Sequence, residues 1–465
     1  MSAPSFEISC STDLKELVVC TELFGSNVAY AWVTSDNTFA RAIGVLLSTL
    51  ALFNPHENAR IRLSLRVTLP PLDPHSYAAQ MWSPSQRYWV ADFHRGVLQE
   101  FTRTLPPVTC VWGLDLNSYG RATTSIHPDV FSQLSKFLPG LVSVKWRLED
   151  VPRYMSSLRL GLRLAFVGSF LEENPSLPSL ECLLIAGDKE PDPLHHEYPP
   201  QACIHAGHDD PLRSVIDGLS RLPRLRKLQL GSSSAPMCFP SDWFDGRASS
   251  PAAWPSLREL VVWIERTTPT GEWYFEGEPT DTWTVDVASA GDIAGPILWT
   301  FAYHLKPETG AFTPLISSLA RAVSRMAALQ RIDVQFDSAA PTGYYTPPFT
   351  IAYWGPGQPQ QVSDANERDH WDDEFHERHK DYARWVFSNY SFTDHDSNAT
   401  PLEGELEGFH TCDWVLPPAV RAILHRAAED TKGRTFVLVH NGFMVGLGWE
   451  CTVELAIGDR ISLRK

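Results

Sequence analysis

The chain has 465 residues, 43% hydrophobic and 11% aromatic, enough apolar mass for two or three domains or for one long repeat body with an appendage. Its formal net charge of −16 argues against sequence-independent binding to nucleic acid or to an anionic membrane, since both need a basic face. Eight scattered cysteines without a C-x-x-C pair read as reduced thiols of a cytosolic or nuclear protein.

Near the start, Glu7, Asp13, Lys15 and Glu16 interrupt any signal-peptide core, and Leu14–Val19 reads as a strand. The apolar run from Ala42 to Phe53 is too short to span a bilayer and predicts a buried helix within 39–53. The alternation from Ile61 to Val67 and the segment from Val108 to Leu116 predict strands. An amphipathic helix follows at 127–137, with Val130, Phe131, Leu134 and Phe137 on one face.

That helix runs into a phrase that then recurs: Leu-Pro-x-Leu-x-x-Leu-x-Leu. The copies are Leu138, Pro139, Leu141, Val144, Trp146; Leu177, Pro178, Leu180, Leu183, Ile185; Leu222, Pro223, Leu225, Leu228, Leu230; and Trp254, Pro255, Leu257, Leu260, Val262. A fifth, without the proline, is Met326, Leu329, Ile332, Val334, and a worn one is Leu14, Leu17, Val19. A three-residue step giving way to a two-residue step marks a helix end turning into a short strand. Helices with Leu212, Val215, Ile216 and Leu219, and with Leu315, Leu319 and Val323, precede the third and fifth copies. One such unit cannot bury its own apolar face, so the repetition predicts a stacked, leucine-rich-repeat-like solenoid with a mostly parallel sheet. The starts at 138, 177, 222, 254 and 326 are separated by 39, 45, 32 and 72 residues, irregular enough to require insertions.

A second duplication lies in the longest interval. Residues 257–271 align with 329–343 at a constant offset of 72, and Pro269 and Gly271 match Pro341 and Gly343. Pro-x-Gly followed by aromatics predicts a turn with a return strand at each place. Trp273, Tyr274, Tyr344 and Tyr345 are the candidate interaction surface, because aromatic residues dominate binding hot spots; the competing reading folds them back onto the sheet.

After residue 343 the texture changes. A Pro/Gly-rich stretch leads into 363–407, where thirteen Asp and Glu face four Lys and Arg, and Trp371, Phe375, Tyr382 and Trp385 recur at roughly helical spacing. A helix over 418–429 precedes the run from Thr435 to Val445, in which Asn441-Gly442 signals a hairpin turn. The expected division is therefore a solenoid over 1–343 and an acidic α+β extension or cap over 344–465.

Chemistry is sparse. There is no phosphate loop, dinucleotide fingerprint or Gly-x-Ser-x-Gly turn. His195, His196, Cys203, His205, His208, Asp209 and Asp210 could in principle hold zinc but lack paired ligand spacing. His376-Glu377-Arg378-His379 misses the zincin spacing by one residue, in surroundings that fit a solvated helix. No catalytic residue, cofactor or bound metal is expected. The alternatives are a metal-dependent enzyme built on a histidine cluster and a carbohydrate- or ligand-binding module built on the sixteen tryptophans, most of which sit at core positions of strands.

The phrases at Leu177–Ile185 and Leu222–Leu230, the block Trp254–Phe275 and the Trp414-Val-Leu-Pro-Pro segment resemble a fungal family related to F-box proteins, over roughly residues 80–465. The resemblance implies a substrate-recognition body and a protein partner. An F-box would be a compact three-helix unit opening with Leu-Pro near the N-terminus; residues 1–75 read as a repeat unit and carry no such motif, so no ligase-scaffold contact is assigned. Leu416-Pro-Pro resembles an F-box opening, but it runs into the Asn441-Gly442 hairpin, so a helix before a strand is the plainer reading. The expected function is a non-enzymatic protein-interaction solenoid.

Overall fold

The recurring phrase sets both the local structure and its pairing. In the computed structural model the described residues are 6–10, 16–22, 43–52, 61–68, 105–116, 123–124, 129–148, 156–171, 176–187, 210–232, 236–245, 254–276, 306–336, 349–358, 381–391, 416–424, 435–445, 448–455 and 460–464. The class is mixed α/β with open, mostly parallel sheet. The chain divides into two units, residues 1–190 with 211–229 and residues 191–210 with 230–465. The compositional break at 343/344 falls inside the second.

The first unit contains β1 (Phe6–Cys10), β2 (Glu16–Glu22), helix α1 (43–50), β3 (Ile61–Thr68), β4 (Val111–Leu116), β5 (Thr123–Thr124) and α2 (Asp129–Ser135). It continues with β6 (Ser143–Leu148), α3 (Ser156–Leu171), β7 (Cys182–Gly187), α4 (Leu212–Leu219) and β8 (Lys227–Leu230). The strand order is β1-β2-β3-β4-β6-β7-β8, with β5 beside β3. From β2 to β7 each pair along this order is parallel.

Register equals repeat offset. β6 pairs β7 as Val144↔Leu183 and Trp146↔Ile185, a step of 39 that is the interval between the first two phrases. One carbonyl locks each step: Val142 O accepts from Glu181 N (2.8 Å) and Cys182 N (3.1 Å), and Glu181 O from Arg226 N (2.8 Å) and Lys227 N (3.0 Å). The same register exposes a copy that the sequence reading treats as a plain strand. Leu114↔Val144 and Leu116↔Trp146 place Val108 and Val111 where Leu138 and Leu141 stand in the next copy, and all four residues of this earlier copy are buried. Its Val-Thr-Cys opening, in place of Leu-Pro, hides it. The worn copy pairs likewise, Leu17↔Leu63 and Val19↔Leu65.

The core of this unit is aromatic. Trp146 lies 4.7 Å from Phe131 of α2 and 4.6 Å from Phe166 of α3, and Phe131 and Phe170 stack at 5.3 Å. Helix α3 is absent from the sequence reading, since its phenylalanines are interleaved with Arg163, which is itself buried. Ser176, ahead of the second phrase, donates to the carbonyls of Ser135 (2.7 Å) and Leu138 (2.9 Å), each of which also accepts a backbone amide, and so ties the second phrase to the end of α2.

The second unit contains β9 (Glu259–Ile264), β10 (Phe275–Glu276), β11 (Lys306–Pro307), α5 (Thr309–Arg325), β12 (Arg331–Phe336) and β13 (Thr350–Trp354). β14 (Ala383–Ser391), helix α6 (418–424), β15 (Thr435–Val445), β16 (Gly448–Leu455) and β17 (Arg460–Arg464) follow. The order is β9-β12-β13-β14-β15-β16-β17, with β10-β11 a separate pair. β9 and β12 are parallel from Glu259↔Arg331 to Ile264↔Phe336, again at the sequence offset of 72. Arg258 O takes Gln330 N (2.8 Å) and Arg331 N (3.0 Å), repeating the two-amide carbonyl. The Glu308 carboxylate caps α5 by accepting from Gly310 N and Ala311 N.

Two expectations are corrected in this unit. Trp385 belongs to a strand, not a helix: it is fully buried on β14, 4.8 Å from Tyr353. Asn441-Gly442 is no turn either. β15 runs through it, with Asn441 facing Asn389 and Thr452, and the hairpin closes later at Val445↔Gly448. Pairing on both sides holds Asn-Gly extended against its local preference. Among the described residues no helix is long and apolar enough to cross a membrane.

Leu141, Leu180, Leu225, Leu257 and Leu329 are all buried. Leu225→Ala is expected to cost about 2–5 kcal/mol in equilibrium urea unfolding, as for a packed leucine that leaves a cavity. Gly231 has φ +79, and a Cβ there would lie 2.6 Å from the Trp263 carbonyl oxygen. Gly231→Ala is expected to cost about 1–3 kcal/mol in the same measurement, a loss that no rotamer can relieve.

Candidate interaction surface

The block with the most specific geometry is the Pro-Thr-Gly turn after β9. Gly271, at φ +85, lets the chain reverse, with Gly271 N donating to Thr268 O (3.1 Å) and Thr268 N to Glu272 O (2.8 Å). Thr267 and Trp273 form an antiparallel bridge, and Tyr274 N reaches Arg266 O at 2.8 Å. The turn with a return strand is thus formed as the Pro-x-Gly spacing predicts.

Tyr274 is fully buried, so it is not part of an exposed surface; its hydroxyl donates to the Phe239 carbonyl at 2.6 Å. Phe275 is buried as well, among Phe312, Phe336 and Phe349 at ring distances of 5.0–5.8 Å. Trp273 is half-buried. Tyr344 and Tyr345 lie outside the described residues. Of the four surface candidates, the turn therefore carries one buried and one half-buried.

The sequence reading missed what Tyr274 packs against. The segment 236–245 runs beside β9, with Met237 N donating to Trp263 O and Glu265 N to Met237 O, both at 2.9 Å. It brings Phe239 edge-on to Trp243 at 4.2 Å, and Cys238 Sγ donates to Thr267 O at 3.2 Å. Arg266, almost wholly buried, sits 5.1 Å over the Phe275 ring, and Arg325 at the end of α5 donates to the Phe244 carbonyl. The only sequence signal was aromatic density at Phe239, Trp243 and Phe244, in a segment with no repeat spacing.

Burial pushes the Tyr274 hydroxyl well above the usual tyrosine range, and Cys238, Asp242 and Glu272 nearby add to the shift. A second polar group lies along β12, where Asp333 accepts from Arg331 Nη2 (3.1 Å) and Gln335 Nε2 (3.2 Å). Burial raises the Asp333 carboxyl, and Arg331 and Gln335 oppose it. Neither group sets a nucleophile beside a base, so both serve as packed polar anchors. The two histidine clusters lie outside the described residues, Asp210 excepted, which is buried. Among the described residues no three His, Cys, Asp or Glu side chains converge as metal ligands would. No family model, curated protein or solved structure matches this chain.

Tyr274→Phe is expected to cost about 1–3 kcal/mol at neutral pH, because it strands the Phe239 carbonyl. The folded state holds the Tyr274 proton more tightly than the unfolded state does. Its contribution is therefore complete below about pH 10, the ordinary tyrosine value, and falls as pH rises further. Unfolding curves taken across the alkaline range should show a shallower fall in the phenylalanine variant.

Proposed function

We propose that this chain is a non-enzymatic protein-interaction protein whose repeat body is a leucine-rich-repeat-like solenoid. In that reading residues 344–465 form an α+β extension, and the body is akin to the recognition part of F-box-related fungal proteins. The observation that carries it is the identity of sequence offset and strand register, 39 between β6 and β7 and 72 between β9 and β12. Copies that pair in register repeat their helix ends and loops at regular places along a sheet, the geometry with which solenoids present an extended surface. The free thiols of Cys110, Cys182 and Cys238 suit a reducing compartment, the cytosol or the nucleus. The partner is a protein, with the outward side of the Pro-Thr-Gly turn as one of its contacts.

The test is affinity purification from the native cell, with the recovered partner quantified by mass spectrometry. Trp273→Ala is expected to lower partner recovery more than it lowers thermal stability, since Trp273 is only half-buried and the Tyr274 anchor is kept. Equal recovery with the wild type would remove this turn from the interface. Absence of any stoichiometric protein partner would count against the interaction reading as a whole.

A further inference from the structure

The third phrase is the most basic of the copies, and at the place of Arg224 it alone carries a cation. It reads Arg221-Leu-Pro-Arg224-Leu-Arg226-Lys227, four basic residues within seven positions of a chain whose net charge is −16. At the place of Arg224 the other copies carry Gly140, Ser179, Ser256 and Ala328. Small or neutral residues thus satisfy the turn, and nothing in the repeat requires a cation there. Arg221, Arg224 and Arg226 are exposed, and Lys227 is half-buried.

The backbone beneath them is firmly held. Arg221 N donates to Gly218 O (3.1 Å), Leu222 N to Leu219 O (3.0 Å), and the amides of Arg226 and Lys227 share Glu181 O. The charges are therefore displayed on an ordered turn. Arg226 leans on Glu181 at 3.4 Å, with the arginine exposed and the glutamate half-buried, a contact of small worth that leaves the guanidinium accessible. Arg221 stands just past the C-cap of α4, where a cation complements the helix dipole. Arg224 has no such duty, and it makes no ion pair among the described residues.

We infer that the third-phrase turn, Arg221 to Lys227, is a docking site for a short acidic peptide segment of a protein partner. The inference rests on the interaction reading above and specifies the partner's chemistry. Arginine forks match carboxylates with paired hydrogen bonds, and several on one rigid turn favour a run of acidic side chains. A long polyanion such as nucleic acid would also meet the field of the whole acidic chain. A short segment senses only the charges within a Debye length, about 8 Å at physiological salt. Local charge therefore decides for the peptide.

The experiment uses the full chain and a fluorescent peptide of about twelve alternating Glu and Ser residues, read by anisotropy at about 50 and 300 mM salt. Binding that weakens with salt is expected. Arg221→Glu combined with Arg224→Glu should weaken it by about tenfold or more, with only a small fall in melting temperature from the lost helix-dipole contact of Arg221. Arg221→Gln with Arg224→Gln should give a smaller loss in the same direction. Arg258→Glu, at the place of Arg226 in the fourth copy, should leave binding unchanged. No binding at the lower salt, equal binding by the charge-reversed variant, or tighter binding of a single-stranded oligonucleotide of the same charge would each overturn the inference. Peptide binding through these arginines with no cellular partner recovered would sustain the site and sink the interaction reading. A partner recovered equally by the charge-reversed variant would do the reverse.

Discussion

A backbone carbonyl that accepts two amides from the following copy is the contact on which the sheet depends. Val142, Glu181 and Arg258 each supply one, in each case the residue immediately after the buried leucine of its phrase. The arrangement couples two requirements that are independent in most sheets. The leucine must be buried, and the next strand must start at one particular residue. A slip by one position would turn every apolar side chain of the incoming strand to the opposite face. The carbonyl and the leucine therefore select the same register, and each protects the other.

That coupling explains why irregular spacing is tolerated. Intervals of 39, 45, 32 and 72 residues would disrupt a repeat whose loops took part in pairing. Here the junction is local to the phrase, so the intervening chain can lengthen at small entropic cost. It also accounts for the earlier copy at Val108–Leu116, which keeps the four apolar places and loses only the Leu-Pro opening. The proline lies in the turn ahead of the strand and, having no N–H, contributes nothing to the strand pairing that follows.

The Pro-Thr-Gly turn and the third-phrase turn illustrate two ways in which a repeat body acquires individuality. The first is an insertion that folds inward: Tyr274 and Phe275 become core, and a tyrosine hydroxyl finds a carbonyl 35 residues away in sequence. The second is a substitution that faces outward, with arginine where other copies have glycine, serine or alanine. Burial accounts for the inward departure, which bears on stability, and does not account for the exposed charge of the outward one.

The sequence by itself determined the phrase, its copies and the offset of 72, and these carry the pairing register, because a parallel repeat encodes its register as a simple difference between positions. It also located the turn at Pro269–Gly271, whose proline and glycine act locally. Tertiary structure decided what no local signal holds. Trp385 sits on a strand, and Asn441-Gly442 stays extended, since neighbouring strands on both sides outweigh the preference of a dipeptide. Helix α3 stayed illegible because a buried arginine breaks its apolar pattern. That Tyr274 belongs to the core depended on the segment 236–245, which supplies the Phe239 carbonyl that its hydroxyl reaches.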